Sequence, residues 1–336
     1  MGRNILTPGP LLNDEGDLIE SGYSNSLCKI YERDRIKANK LRIKEWDYYY
    51  VGNNDYGIAL TIADNSYMWM VSVSVLDFVN KTDITKSSIG LFSMGKLNLP
   101  HSSKTGNIEF RKKNFYFKFT NGDDRRLEVF YKNFKNGDFY CDVTLSETSE
   151  NSIVLATPFK KPKHFYYNQK INNLKAKGYF NYSGKEYSLE NSFGVLDWGR
   201  GVWTYKNTWY WSSFSGICDG KLVGFNLGYG FGENPETENI VFVDNEYFKL
   251  GDVEFIISKR NNQEKYLDQW LIRSSDESIH LIFEPILDRH ADTNLLVLRS
   301  LQHQVFGKFT GYIKTGDRII VIDHMVGFAE KVYNKW

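Results

Sequence analysis

The stretch Gly194–Ser215, GVLDWGRGVWTYKNTWYWSSFS, carries half of the chain's eight tryptophans, Trp198, Trp203, Trp209 and Trp211. One acid, Asp197, and one guanidinium, Arg200, stand among them, with Gly199 and Gly201 between the bulky groups. As a strand of period two, it puts Asp197, Gly199, Gly201, Trp203 and Tyr205 on one face and Arg200 on the other. After a bend at Lys206-Asn207-Thr208, Trp209, Trp211 and Ser213 share a face of the returning strand. The stretch is thus either a dense aromatic core or the acid-bearing wall of a barrel lumen.

Working outward, short apolar runs recur on both sides. WDYYYVG, YGIALTIAD and YMWMVSVSVLDF follow Trp46 and are cut by Gly52-Asn53-Asn54-Asp55 and Asp64-Asn65. In the third run Trp69, Val71, Val73 and Val75 make an apolar face, which predicts a half-buried strand. Asn121-Gly122 and Asn136-Gly137 separate three more runs and predict hairpins of an antiparallel meander. Downstream, Ser183-Gly184, Asp219-Gly220, Asp244-Asn245 and Thr315-Gly316 punctuate the same rhythm. A short helix fits only within Ser26–Lys44. Pro158, Pro162 and a lysine-rich polar stretch interrupt the pattern, and the boundary is expected there. The expected organisation is residues 1–175 and 176–336, with the GVLDWGRGVW motif in the second half. Strings of short strands without alternating helices predict an all-β fold, sandwich or barrel.

The 336 residues include 16% aromatics, which favours strands. The 42 basic and 41 acidic side chains nearly cancel, leaving no positive field to recruit nucleic acid or an anionic membrane. Three scattered cysteines, Cys28, Cys141 and Cys218, form no CxxC pair, which argues against zinc or dithiol chemistry and suits a reducing compartment. No signal-type apolar region follows the first residues, and no run reaches the ~20 apolar residues of a membrane helix. A cytoplasmic protein without metal or cofactor is expected. Its oligomeric state is open.

Asp197 is the leading acid. A carboxyl group among aromatic rings is desolvated and can hold a proton near neutral pH. It could then protonate a double bond or a carbonyl, with ring faces stabilising the developing positive charge. The competing reading is a structural aspartate satisfying backbone donors at a bend. His290, between Asp288 and Asp292, and His303 are further acid–base candidates, although DRHADTN reads first as a polar turn. Trp198, Arg200, Trp203, Tyr205, Trp209 and Trp211 are the candidate ligand-binding residues. Gly228-Tyr229-Gly230-Phe231-Gly232 is not a nucleotide loop, because no helix follows it; glycines at a barrel corner explain it. Glu233, Glu236 and Glu238 read as a solvated loop. Carbohydrate hydrolysis would require Glu233 or Asp292 about 5–10 Å from Asp197 across an open groove.

GVLDWGRGVWTYKNTWYWSSFSG, LVGFNLGYGF, TENIVFVDN, DRHADTNLLVLRS, HQVFGKFTG and the terminal GFAE together resemble the DUF2804 family over nearly the whole chain. A second likeness is carried by the hairpin G-x-F-x-x-x-G-K-x-Y leading into G-x-x-D-x-G. It is similar to the central motif of the hydroxyneurosporene synthase and AttH-like proteins. There a histidine follows the acid, whereas Trp198 stands here. That likeness implies two tandem lipocalin-like, calycin-type barrels. It also implies proton-initiated lyase, hydratase, isomerase or cyclase chemistry on an apolar, often prenyl-derived molecule, with Asp197 as the acid. A lipocalin-like protein that binds an apolar ligand without chemistry is the alternative.

Overall fold

The computed structural model describes residues 4–233, 236–295 and 298–336. Two strongly curved antiparallel half-barrel sheets account for nearly all of it. Within the first, the strands run side by side as Thr82–Leu91, Met68–Asp77, Tyr56–Asp64, Ile43–Gly52, Phe193–Val202, Phe165–Tyr182, Phe139–Ser146, Asp124–Tyr131, Phe115–Thr120 and Asn107–Lys112. In the second the order is Glu246–Lys249, Ile240–Val243, Lys221–Tyr229, Lys206–Cys218, Arg318–Lys335, Leu298–Thr315, Ile279–Leu295, Trp270–Ser274 and Val253–Ile257. The all-β expectation holds, and the two tandem barrels implied by the resemblance take the form of two strongly curved half-barrel sheets. In place of a helix within Ser26–Lys44 there are two single 3-10 turns, Arg33–Arg35 and Lys40–Arg42.

Sheet membership changes between Val202 and Lys206. The compositional break around Pro158 and Pro162 only closes the Ile153–Pro158 strand; the 18-residue strand Phe165–Tyr182 then continues the first sheet. The GVLDWGRGVW segment therefore belongs to the first sheet, paired along its whole length with Ile43–Gly52. Ser183-Gly184 and Asp219-Gly220 turn their hairpins with positive φ at both residues. In the loop holding Asn136-Gly137, Asn133 and Lys135 supply left-handed positions as well.

Three apolar layers follow from period two. Leu196, Trp198 and Val202 point into the first half-barrel with Tyr49, Val51, Val71, Val73 and Phe117. Phe225, Phe255, Trp270, Phe283 and Phe309 fill the second. Between the sheets lie Tyr48, Tyr50, Val195, Trp211, Leu287, Phe306 and Phe328. Contact between the sheets covers the second face of Met68–Asp77 over Val71–Leu76, so that part of the strand is buried on both faces, not one. Its Ser74 Oγ accepts a 2.9 Å hydrogen bond from Arg289 of the other sheet.

Candidate functional site

Four strands meet face to face between the sheets, and their registers build layers. Val195 lies opposite Tyr50, and Ser213 opposite Phe328. One pleat further along each strand, Asp197 lies opposite Tyr48 and Trp211 opposite Glu330. The first layer floors a cleft of about 230 Å³ that opens past Phe193, Ser215 and Met325 to a rim of Asn53, Asn54 and Asn191. No charged side chain lines it. The second layer, directly behind, is acidic. Side chains on a strand repeat every second residue at roughly 7 Å, so the acids stand one step from the cleft floor.

Asp197 is buried. Its Oδ2 accepts a 3.1 Å hydrogen bond from Trp46 Nε1, and its Oδ1 is 3.0 Å from Lys170 Nζ. Lys170 is its register partner on Phe165–Tyr182, and its ammonium sits 3.8 Å from the centre of the Trp211 ring. Two further carboxyl groups belong to the same region. Glu330 accepts 3.0 Å hydrogen bonds from Trp209 Nε1 and Gln304 Nε2, while Tyr48 donates to Gln304 Oε1. Burial raises the proton affinity of Glu330, opposed by Trp209 and Lys170. Glu238 is also buried, and its Oε1 has no protein partner. Burial chiefly pushes its pKa up to about 7, with Lys170 opposing and Asp197 reinforcing.

The glycines around the cluster are spaces for particular groups. A Cβ at Gly199 would lie 2.3 Å from the Trp46 ring, and one at Gly228 would lie 2.1 Å from Glu238 Oε1. Gly199 lets the indole lie across the strand and reach Asp197; Gly228 admits the Glu238 carboxyl. Gly199→Ala should therefore displace Trp46 and lower stability by about 1–3 kcal/mol. A chemical-denaturation curve within a few tenths of a kcal/mol of wild type would refute that role.

The other sequence candidates divide. Trp203, Trp209 and Trp211 join the inter-sheet layer; Trp203 packs on Tyr166 at a ring-centre distance of 4.8 Å. Trp198 and Arg200 do not join it. They point into the first half-barrel, where Arg200 pairs with Asp47 at 2.9 Å and lies 4.4 Å over the Trp198 ring. Tyr205 lies past the end of its strand and is 43% exposed, so the alternation that tied it to Asp197 no longer applies.

His290 and His303 form a cross-strand pair elsewhere. Gln304 and Glu330 face the Asp197 layer, so the adjacent His303 and Lys331 face the second half-barrel. There His303 Nδ1 is 2.7 Å from Asp288 Oδ2, and the ring is stacked between Tyr266 and His290 at 3.6 and 4.4 Å. DRHADTN is part of the strand Ile279–Leu295, not a turn. A bulge between Pro285 and Leu287 switches its alternation and turns Asp288 towards His303.

Glu233 is a surface partner of Lys160, and Asp292 is exposed. The carboxyl groups that accompany Asp197 are instead Glu238 and Glu330, buried and not across an open groove. In the sequence Lys170 reads as one lysine of a polar stretch and Glu238 as part of a solvated loop. Glu330 sits in the GFAE motif, which carried only the family likeness. Among the described residues no group of His, Cys, Asp and Glu is arranged to hold a metal ion, and no helix is long and apolar enough to cross a membrane.

The family model described as "Domain of unknown function (DUF2804)" matches residues 2–336. The chain belongs to the DUF2804 family. No curated protein matches the sequence. Solved structures similar to this DUF2804 chain include the following. One described as AttH, from Nitrosomonas europaea, has 12% identity and a TM-score of 0.52, over 90% of this chain and 96% of that one. Kievitone hydratase from Nectria haematococca has 13% identity and a TM-score of 0.54, over 87% and 88%. CghA with Sch210972 has 10% identity and a TM-score of 0.52, over 98% and 97%. At such identities the likeness establishes the shared fold.

Proposed function

We propose that this DUF2804 protein is a cofactor-independent lyase of hydratase, isomerase or cyclase type. Its substrate is an apolar small molecule that enters between the sheets, and the reaction starts by proton transfer from the inter-sheet carboxyl cluster. The observation that carries the reading is the register: an uncharged cleft over Tyr50, Val195, Ser213 and Phe328, with Tyr48, Asp197, Trp211 and Glu330 directly behind. The rings of Trp46, Trp209 and Trp211 exclude water and present π-faces to positive charge. Asp197 is the centre of the cluster, held between Lys170 and Trp46. That a hydratase shares the fold supports the reaction class. The free cysteines, none in a disulfide, support a cytoplasmic setting.

The second reading is a binding protein without chemistry, favoured by the ion pair that already engages Asp197. Native mass spectrometry of the purified protein would identify a neutral co-purified molecule to use in the assay. With that molecule as substrate, Asp197→Asn should lower turnover by roughly 10²–10⁴ while the fold is retained. Under the binding-only reading no turnover is seen, and the same substitution leaves affinity nearly unchanged.

A further inference from the structure

The cleft is uncharged, yet three hydroxyl-bearing side chains line it. Tyr50 enters from the first sheet. Ser213 and Ser215, two residues apart on one face of Lys206–Cys218, enter from the second. Tyr50 is 8% exposed, and a Cβ at Gly52 would lie 2.5 Å from its Oη, so the hydroxyl sits over Gly52, itself part of the cleft wall. Among the described residues that hydroxyl has no hydrogen-bond partner. Burial, reinforced by Tyr48, raises its pKa, so the O–H is kept as a donor. A bulge aims the two serines. Between Ile171 and Leu174 the register of Phe165–Tyr182 slips, and Asn172 and Asn173 reach across to the second sheet. Asn172 Nδ2 shares its two hydrogens among Ser213 Oγ at 2.8 Å, the Phe214 carbonyl at 3.2 Å and the Phe225 carbonyl at 2.9 Å. The Asn173 N–H donates to Ser215 Oγ at 2.9 Å. Each serine oxygen thus accepts from the protein, and neither donates to a described residue.

A hydrocarbon in the cleft would strip water from three O–H groups and return no acceptor, which is unfavourable for each. A carboxylate or phosphate would find no cation, since no charged side chain lines the cleft. A neutral carbonyl oxygen matches both conditions. Its two lone pairs accept hydrogen bonds close to the carbonyl plane, while the attached carbon frame lies against Phe193, Val195 and Phe328.

Resting on the function proposed above, we infer that the molecule taken into the cleft carries a neutral carbonyl group, and that the Tyr50, Ser213 and Ser215 hydroxyls bind its oxygen. Asn172 and Asn173 are positioning residues: they occupy one lone pair of each serine from behind and leave its O–H for the cleft. Tyr50 and Ser213 belong to the layer of Val195 and Phe328. The carbonyl is therefore held one pleat from the layer of Asp197 and Trp211, and the specificity lies in that first layer.

Two probes of matched shape test this on the full-length protein: 2-acetylnaphthalene, and 2-isopropenylnaphthalene, in which a methylene group replaces the carbonyl oxygen. Tyr50→Phe breaks no hydrogen bond to the protein, and in Ser213→Ala both Asn172 Nδ2 hydrogens keep carbonyl acceptors, so both variants are expected to fold. Each substitution should weaken the ketone about three- to tenfold and the alkene by less than about twofold. The infrared C=O stretch of the bound ketone should lie at lower frequency on wild type than on either variant, and lower than in cyclohexane; the comparison with cyclohexane needs no variant. Equal effects on the two probes, or a C=O band on wild type at its cyclohexane position, would overturn the carbonyl site while binding of both probes leaves the proposed function standing. Failure of either probe to bind saturably to wild type would overturn both.

Discussion

Replacing Arg200 with methionine is expected to lower the free energy of unfolding by about 3–5 kcal/mol, because Asp47 would be left as an unpaired buried charge. The guanidinium is fully buried and bonds Asp47 Oδ1 at 2.9 Å, the Trp46 carbonyl at 2.7 Å, the Gly199 carbonyl at 2.9 Å and the Pro100 carbonyl at 3.0 Å. Burial raises the proton affinity of Asp47, and Arg200 opposes it. Total stabilities of about 5–15 kcal/mol make such a loss a large fraction of the whole. Removing the carboxylate as well, in Arg200→Met with Asp47→Leu, should recover part of the loss, since apolar replacement of a buried pair is often neutral. Urea unfolding of both variants gives the comparison. A single substitution that costs under about 1 kcal/mol would show that Arg200 is not a structural anchor.

The second large effect is pH-dependent. Glu238 has its pKa raised to about 7 from an ordinary 4.5. Between those values the folded protein holds a proton that the unfolded chain has released. The stability associated with that proton is full below about pH 4.5 and is lost as the pH rises through 7. At 1.36 kcal/mol per pKa unit the loss is on the order of 3 kcal/mol. Glu238→Gln keeps the size of the side chain and cannot ionise, so its stability relative to wild type should rise by that amount between pH 4 and 8. Taking the difference removes other groups, among them Lys44, whose pKa burial lowers to about 6. Parallel stability–pH curves for the two proteins would exclude an elevated Glu238.

Strand existence and facing were legible because they are local. Period two alone separates Asp197 from Arg200, and the structure has the one between the sheets and the other inside the first half-barrel. Alternation misleads where the strand stops, as at Tyr205, or where a bulge inserts a residue, as before Asp288. The site itself was only partly readable. Lys170 is 27 positions from Asp197 in sequence, Glu238 arrives on a returning loop, and Glu330 comes from the final strand. No local signal separates those three from surface charges; only sheet register does. The crossing between sheets was equally hidden. It uses Trp203-Thr204-Tyr205 with no proline or glycine, and Trp203 packs into the interface, unlike a linker residue. The prolines that signalled a boundary, Pro158 and Pro162, precede the strand that supplies Lys170.

The central claim is that an uncharged apolar molecule occupies the space between the sheets in front of Asp197. A fluorescence titration with N-phenyl-1-naphthylamine, a neutral apolar probe, tests it most directly when run on wild type and on Met325→Trp. Met325 lines the cleft, is half-buried and packs on the edge of the second core, so the larger apolar ring fills the cleft while keeping an apolar contact there. Saturable binding to wild type and at least tenfold weaker binding to the variant are expected. Equal binding to both, or no saturable binding to wild type, would contradict it.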